Sequence, residues 1–456
     1  MDNLYNILFY FTDQQRADTC GCYGQKLDVT PCLDDLAKEG TIFQTAISPQ
    51  PVCGPARAIF QTGKCATELG CFRNSKMLPL TVKTLANYME GAGYETGYVG
   101  KWHLASEGNL EAKPYIDYQR KPIPRILRGG YTGFWRASDV LEFTSNGYGG
   151  YIFDENENRI DFNKYRADFI AEQALEFLER YDGKRPFFLT VSQIEPHHQN
   201  DAGHYQGPEG SKERFKNFEV PADLVAFPEG DWKSEYPDYL GAVHSCDWNF
   251  GRLVRKLKEL DIYDKTIIVY TSDHGSHFRT RNHDAHMCGY DDYKRTCHEA
   301  AVHVPLVITG GPFCQGGKRI KEIVSTASLP KTFVHLAGYE VGDAMIGEEL
   351  DLVAKGNLPA NRVDEAFIQI SESRVARCVR GRRYVYEVVA PGVNGGSVGS
   401  ANHYVDDFLY DLQEDPNELN NLIGDPHYGS VRLMMRKHLL SLIKQMEHAE
   451  PLITDW

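Results

Sequence analysis

The chain has 456 residues, 42% of which are hydrophobic, and a formal net charge of −14. This length predicts one large domain with a smaller one, or two domains of similar size. The negative charge argues against a nucleic acid or an anionic membrane surface as the main partner, although a small anion could still bind a locally basic pocket. No apolar run approaches the roughly 20 residues that span a bilayer, so we expect no membrane partner.

The N-terminal segment MDNLYNILFYFTDQQ contains an apolar stretch, but it has neither a basic leader nor a small-residue cleavage site. We interpret it as a β-strand and not as a signal peptide. The 11 cysteines are an odd number without regular spacing, which favours reduced thiols. The sequence as written therefore predicts a cytoplasmic protein, or a periplasmic or secreted one if a signal has been removed.

The next segment with an unusual pattern is SPQPVCGPARAIFQTGKC at 48–65. It places Cys53 at the predicted start of a helix, four residues before Arg57. The positive end of the helix dipole and the nearby cation both favour a thiolate. A structural cysteine is more typical of an apolar run, so this position indicates a reactive side chain.

Short apolar runs alternate with helical stretches through the first 345 residues, without an internal repeat. This alternation predicts an α/β fold with a large, mostly parallel sheet sandwiched by helices. Three stretches have the apolar spacing near 3.6 that is typical of helices; they cover 80–93, 165–183 and 239–261. The predicted buried strands are 7–11 with its flank, 96–100, 186–194, 266–272 and 304–310.

After about residue 345 the pattern changes to short segments that resemble antiparallel strands. The predicted strands lie in 366–373, 376–389 and 408–412, and a closing helix covers 430–450. We therefore predict a main domain over 1–345 and a smaller C-terminal α+β subdomain over 346–456.

Polar side chains follow four of the predicted strands, where an open α/β sheet normally holds its ligand. Two polar residues follow each of these strands. Each such pair alone fits a turn, a helix cap or an ordinary surface position, but the occurrence of four pairs at one sheet edge points to one site. Its oxygen donors suit a hard divalent cation. The pairs are Asp13 with Gln14, Lys101 with His103, His197 with His198, and Asp273 with His274.

Four motifs together resemble the formylglycine-dependent sulfatases of the alkaline phosphatase superfamily. CGPARAIFQTG fits the C-x-P-x-R signature with its following Thr-Gly, and GKWH at 100–103 resembles the second signature. KRTCHEAAVHVPLVI at 294–308 and DLQEDPNELNNL at 411–422 resemble two later elements. The resemblance extends from Asp13 to about Leu422, and it implies an alkaline-phosphatase-like fold for the main domain.

The resemblance also implies the chemistry. A formylglycine-generating maturation enzyme would oxidise Cys53 to formylglycine, whose hydrate attacks the sulfur of a sulfate ester and later expels sulfate. Arg57, Lys101 and Lys294 would supply fixed positive charge, His103 would be the base that releases sulfate, and His197 the acid for the leaving oxygen, with His198 as a weaker candidate. One divalent cation would be held by Asp13, Gln14, Cys53, Asp273 and His274.

Three positions depart from the common family pattern. Gln14 stands where many members have Asp, His274 where many have Asn, and His303 where Arg is usual before Val-Pro. The first two changes leave calcium as the expected ion and manganese as the alternative. They also leave open a phosphonate monoester or phosphodiester hydrolase of the same superfamily. A non-catalytic binding protein on this scaffold is the alternative from a different class.

The substrate is expected to be a small sulfated molecule, with a carbohydrate sulfate favoured and an exo-acting enzyme. Segments 104–165 and 276–293 read as loops rich in Arg, His, Tyr and Trp. Within them, RGGYTGFW at 128–135 and HFRTRNHDAH at 277–286 could frame a sugar, although a solvated surface fits them equally well. Whether the chain forms a homo-oligomer stays open.

Overall fold

The first predicted strand lies at the centre of the larger of two β-sheets. The computed structural model describes residues 4–108, 116–281 and 293–455. Across the larger sheet the strand order is β11-β2-β10-β8-β1-β7-β3-β4-β5-β6, with β9 paired to β2. The strands are β1 Asn6–Thr12, β2 Thr41–Ile47, β3 Glu95–Lys101, β4 Phe134–Ser138, β5 Tyr148–Asp154, β6 Arg159–Tyr165, β7 Phe187–Ser192, β8 Thr266–Ser272, β9 His303–Val304, β10 Leu306–Thr309 and β11 Lys318–Ser325.

The centre of this sheet is parallel and its flanks contain antiparallel strands. Strand β1 pairs in parallel with β7 and β8, and β3 with β4 and β7. Strand β10 runs antiparallel to both neighbours, and β5 and β6 form an antiparallel pair. The predicted α/β class with a large sheet is confirmed, and the sheet is mixed, with parallel pairs at its centre.

Helices cover both faces of the sheet because the buried strands are apolar on both sides. Along β1, Phe9 and Phe11 pack in one core cluster, whereas Leu8 and Tyr10 pack in the cluster on the opposite face. The helices are α1 Pro31–Glu39, α2 Cys53–Thr62, α3 Leu85–Gly91, α4 Leu141–Thr144, α5 Arg166–Arg180, α6 Ser211–Phe215, α7 Ala222–Val225, α8 Trp232–Glu259, α9 Glu299–Val302, α10 Ser328–Leu336, α11 Leu350–Lys355 and α12 Gly429–Glu447.

Two predicted helices have different starting points in the structure. Helix α3 begins only after Thr84, whose hydroxyl accepts a hydrogen bond from the Asn87 backbone N–H at 3.3 Å as an N-cap. Helix α8 begins earlier than predicted, because Trp232 and Tyr236 pack into a buried aromatic cluster and keep the chain helical through Pro237.

The prediction of loops over 104–165 is wrong for the second half of that segment. Strands β4, β5 and β6 and helix α4 lie there. Strand β4 is an inner strand of the sheet, and strands β5 and β6 extend its edge beyond β4. Glycines and aromatic residues concealed this strand pattern in the sequence.

The C-terminal sheet has the order β12-β13-β14-β15-β16 and is antiparallel except for its last pair. Helix α12 packs on it through buried Met435, Leu439 and Ile443. The predicted antiparallel strands and closing helix are confirmed, while the boundary at 345/346 stays a prediction. The strands are β12 Glu365–Ile370, β13 Ala376–Gly381, β14 Tyr384–Val389, β15 His403–Asp411 and β16 Leu452–Thr454.

Among the described residues, no helix combines the length and the apolar character that crossing a membrane requires. The ten cysteines in the same ranges are free thiols.

A buried carboxylate on α8 holds the start of α1. Asp247 accepts hydrogen bonds from the backbone N–H groups of Cys32 at 2.9 Å and Leu33 at 2.8 Å. These groups have no partner within their own helix. We expect Asp247→Ala to lower the free energy of unfolding by about 1–2 kcal/mol, the typical effect of losing a helix cap. Guanidinium chloride denaturation measures this, and the exposed Asp264→Ala is the matched control; equal stabilities would contradict the capping role.

Candidate active site

Cys53 is the first residue of α2 and is 1% exposed. The preceding Val52 offers no side-chain cap, and the Gly54 backbone N–H donates to Asn74 Oδ1 at 2.9 Å. Pro55 is tolerated because the first turn needs no N–H donor. The helix ends at Gly63, whose φ of 64° is the left-handed conformation that terminates helices. The short helix therefore presents Cys53 at its positive end.

Two carboxylates lie side by side because their strands are parallel neighbours in register. Thr12 pairs with Ser272, so Asp13 and Asp273 leave the same edge of the sheet together. The Arg57 guanidinium joins them, with Nη2 at 3.0 Å from Asp13 Oδ2 and 3.2 Å from Asp273 Oδ2. All three side chains are at most 1% exposed.

The Cys53 thiol is in contact with Asp13 of this acidic pair and with two basic side chains. Its Sγ lies 3.4 Å from Asp13 Oδ1, 3.2 Å from His274 Nε2 and 3.0 Å from Lys294 Nζ. Donor atoms of Asp13, Cys53, Asp273 and His274 all lie within 4.8 Å of one another. The structure thus brings together four of the five predicted metal ligands, and the fifth, Gln14, follows Asp13 directly.

The predicted cations and histidines line the other side of the thiol. Lys101 Nζ lies 2.9 Å from Asp13 Oδ2 and 3.1 Å from Glu142 Oε1. Lys294 Nζ lies 3.0 Å from His197 Nε2. His103 has a left-handed φ of 62°, and its imidazole is among the groups that lower the pKa of the Cys53 thiol.

His198 is placed differently from its neighbour His197. Its ring stacks on Tyr293 with centroids 4.4 Å apart, and its Nδ1 lies 3.4 Å from Asn200 Oδ1. Burial lowers its pKa to about 4. The structure brings His197, and not His198, to the Lys294 ammonium.

Burial and neighbouring charges set the protonation of the site. Burial opposes ionisation of the Cys53 thiol, but Lys101 and Lys294 reverse this, so its pKa falls well below the usual value. Burial and the adjacent Asp13 raise the pKa of Asp273 to about 6, whereas Lys101 and Arg57 outweigh burial and hold the pKa of Asp13 below its usual range. Burial and Lys294 lower the pKa of His197.

The donor set fits a divalent cation. It contains two carboxylates and an imidazole, which together suit Ca²⁺ or Mn²⁺. The amide oxygen Oε1 of Gln14 is buried without a hydrogen-bond partner among the described atoms. A buried carbonyl oxygen normally has a partner, so a cation would complete this part of the site.

Sequence reasoning missed Glu142, Tyr205 and Ser276. Glu142 lies on the short α4 inside a segment that we had interpreted as a loop, and no motif marks it. Lys101 outweighs burial and lowers the pKa of Glu142 to about 2. Tyr205 and Ser276 bind the Gln14 amide.

The described aromatic side chains of the two segments proposed to frame a sugar are buried. Tyr131 and Trp135 are buried in the core beside Tyr98. His277 and Phe278 are also buried, and His277 Nε2 lies 3.2 Å from the Lys294 carbonyl oxygen. The remainder of the second segment, 282–286, lies outside the described residues.

Comparison with known proteins agrees with this geometry. The family model Sulfatase matches residues 5–339. The chain belongs to the sulfatase family and is a sulfuric ester hydrolase. A second family model, N-sulphoglucosamine sulphohydrolase, C-terminal, matches residues 288–445 of this sulfatase.

Two curated relatives and one solved structure show how far the likeness extends. An ulvan-active sulfatase of Formosa agariphila is 27% identical over 452 residues, which cover 94% of this chain and 78% of that protein. An N-acetylglucosamine-6-O-sulfatase of Bacteroides thetaiotaomicron is 26% identical over 527 residues, with 98% and 87% covered. A structure in complex with its substrate D-glucosamine-2-N,6-O-disulfate has a TM-score of 0.79 at 23% identity, with 98% and 99% covered, and shares the fold.

When Cys53 is unmodified and no metal is bound, the charges around its side chain predict that it is a thiolate. Because its pKa lies below the usual thiol value of about 8.5, the thiolate should persist at neutral pH and protonate only on acidification. The difference in ultraviolet thiolate absorbance between the wild type and Cys53→Ala, recorded against pH, measures this. A difference that appears only above the usual thiol pKa would contradict the electrostatic assignment.

Proposed function

We propose that this sulfatase hydrolyses the sulfate ester of a carbohydrate, using formylglycine made from Cys53 and one divalent cation. The observation that carries the proposal is the position of Cys53, at the start of α2 and within 3.4 Å of Asp13, His274 and Lys294. The ulvan-active and N-acetylglucosamine-6-O-sulfatase relatives support a carbohydrate substrate.

The cation would be held by Asp13, Gln14, Asp273, His274 and the modified side chain at position 53. When bound, a divalent cation acts as a Lewis acid toward the sulfate oxygens. We propose Ca²⁺ because most of the donors are hard oxygens, with Mn²⁺ as the alternative because of the His274 imidazole.

Formylglycine supplies a hydrated aldehyde, in which one hydroxyl can attack sulfur and the other can later release sulfate. The proposal therefore requires a formylglycine-generating maturation enzyme as a partner during synthesis. The start of α2 favours negative charge at position 53.

Three cations have different tasks around the substrate. Arg57 bonds both carboxylates, so its charge holds the acidic pair in place. Lys294 Nζ lies 3.0 Å from the Cys53 thiol and Lys101 Nζ lies 2.9 Å from Asp13 Oδ2, so both would stabilise negative charge on the transferring sulfuryl group. The Lys101 ammonium is itself held between Asp13 and Glu142.

The two histidines are assigned to separate proton transfers. His103, whose imidazole influences the pKa of the side chain at position 53, would remove the proton that allows sulfate to leave. His197 would protonate the ester oxygen of the departing alcohol. In the free enzyme Lys294 disfavours the His197 imidazolium, and an arriving sulfate anion would offset that cation and favour it.

Two alternatives make different predictions. The Gln14 and His274 ligands also suit a phosphonate monoester or phosphodiester hydrolase, so released sulfate from a panel of sulfated mono- and disaccharides should be compared with hydrolysis of phosphodiesters and phosphonate esters. Faster turnover of the phosphorus esters would overturn the sulfate assignment. A non-catalytic binding protein would have no use for the contacts between Cys53, Lys294 and His197, and it would turn over neither class.

We expect Cys53→Ala to abolish turnover while leaving the fold intact, because the nucleophile is made from this side chain. Circular dichroism and released sulfate measure the two effects. Mass spectrometry of the matured Cys53 peptide should show conversion of the thiol to an aldehyde. Cys314→Ala, which removes an exposed thiol, is the matched control. Full activity in Cys53→Ala would exclude the mechanism.

We expect His197→Ala to slow a carbohydrate sulfate far more than an aryl sulfate, because a sugar alkoxide is a poor leaving group and an aryl oxide needs little protonation. General acid catalysis is typically worth roughly 10²–10⁴-fold. His103→Ala should slow both substrates, because sulfate release is common to both. Kinetics of each variant on both substrates tests the assignment.

His198→Ala is measured alongside as the competing candidate, and because its ring packs on Tyr293 we expect it to slow neither substrate selectively. Equal losses on the two substrates for His197→Ala would show that it is not the leaving-group acid, and His198 or Lys294 would take its place.

A further inference from the structure

Gln14 has an unusual backbone that its surroundings hold in place. Its φ of 74° lies in the left-handed region, which is uncommon for a residue with a side chain. Its backbone N–H donates to Asp273 Oδ1 at 3.2 Å, and its carbonyl accepts from Tyr239 Oη at 2.7 Å. Strained backbones of this kind occur at functional sites, where the surrounding structure fixes them.

The side-chain amide of Gln14 is fixed as well. Its nitrogen Nε2 lies 2.8 Å from Tyr205 Oη and 3.3 Å from Ser276 Oγ. The two hydroxyls lie 2.9 Å from each other, so the three polar groups form a closed triangle. All three residues are at most 1% exposed.

Counting protons fixes which end of the amide enters the triangle. The three contacts need three protons. With Nε2 in the triangle, the amide supplies two and one hydroxyl supplies the third. With Oε1 there instead, the hydroxyls of Tyr205 and Ser276 could supply only two, and one short contact would lack a proton. The nitrogen therefore belongs in the triangle.

One polar atom of Gln14 remains after this count. The backbone N–H, the backbone carbonyl and both amide protons have partners, whereas Oε1 is buried without one among the described atoms. Its neighbours along the chain and across the sheet, Asp13 and Asp273, are two of the carboxylates in the donor cluster.

We propose that Tyr205 and Ser276 are positioning residues that fix the Gln14 amide, so that its oxygen and not its nitrogen serves the cation. The inference rests on the proposed cation site. A carboxylate needs no such arrangement, because either of its oxygens can bind a cation. An amide has one ligand atom and one donor group that a cation repels, so the orientation decides whether it binds.

The test is Ca²⁺ binding by isothermal titration calorimetry to the full-length chain after its metal has been removed by a chelator. Partners that orient a metal ligand are typically worth about 10–100-fold in metal affinity. We expect Tyr205→Phe and Ser276→Ala each to weaken Ca²⁺ binding by about tenfold, and the double variant by up to about 100-fold. Thermal unfolding of the metal-free variants verifies that they fold. If Tyr205→Phe fails to fold, Ser276→Ala alone still tests the inference.

Two further variants distinguish a loss of Gln14 amide orientation from a general loss of packing. Tyr131→Phe removes another buried hydroxyl, which contacts Thr190 at 2.9 Å in the core, and it should leave Ca²⁺ affinity unchanged. In a Gln14→Glu background, Tyr205→Phe should cost much less affinity than in the wild type, because a carboxylate binds through either oxygen.

Two results would overturn the inference, and each would exclude a different claim. If Gln14→Ala weakens Ca²⁺ binding but the Tyr205→Phe, Ser276→Ala double variant binds like the wild type, Gln14 is a ligand and the positioning role is wrong. If Gln14→Ala also binds Ca²⁺ like the wild type, the ligand set of the proposed function itself is wrong.

Discussion

The buried contact of Arg57 with Asp13 and Asp273 is the interaction on which the rest of the site depends. Two carboxylates at the ends of adjacent parallel strands would repel each other in a medium that excludes water. A guanidinium between them allows both to remain close. Because Arg57 lies one turn after Cys53 on α2, the same ion pair also fixes that helix against the sheet edge. The spacing of Cys53 and Arg57 is therefore a structural requirement as well as a sequence signature.

The loop between β12 and β13 of the smaller sheet also supports this centre. Glu372 accepts a hydrogen bond from Arg295 Nε at 2.6 Å and another from the Asn74 backbone N–H. Asn74 in turn binds the Gly54 N–H at the start of α2. One carboxylate from the smaller sheet thus links the loop that holds Lys294 to the helix that holds Cys53. Glu372 is therefore tied through these hydrogen bonds to residues that adjoin Lys294 and the nucleophile.

The sequence predicted the parts of the molecule that follow local rules. Apolar runs revealed the central strands, and the polar residues directly after them identified the edge where Asp13, Lys101, His197 and Asp273 lie. Parallel pairing brings such strand ends together whatever their separation along the chain. Family resemblance added Lys294, which no strand-end pattern marks.

Other features could not be predicted, because they depend on contacts between distant segments. Glu142 reaches Lys101 from a short helix whose sequence resembles a loop. The aromatic side chains of Tyr131 and Trp135 are of the kind that stack on sugars, yet both are buried in the core, Trp135 on strand β4 and Tyr131 just before that strand. Tyr205 and Ser276 are unremarkable in sequence, and only their meeting at the Gln14 amide gives them a role.

The charge balance of the site explains why an oxidised cysteine suits it better than a cysteine. Arg57 pairs with Asp13 and Asp273, Lys101 pairs with Asp13 and Glu142, and Lys294 contacts the Cys53 thiol and His197. The three cations and three carboxylates therefore nearly balance in charge. A thiolate at position 53 adds one negative charge in the place where a sulfate must bind, and like charges at such a distance oppose binding strongly in a buried site. Formylglycine and its hydrate are neutral. Oxidation of Cys53 to the proposed formylglycine would therefore remove this repulsion, so that Lys101, Lys294 and the proposed cation could attract the anion.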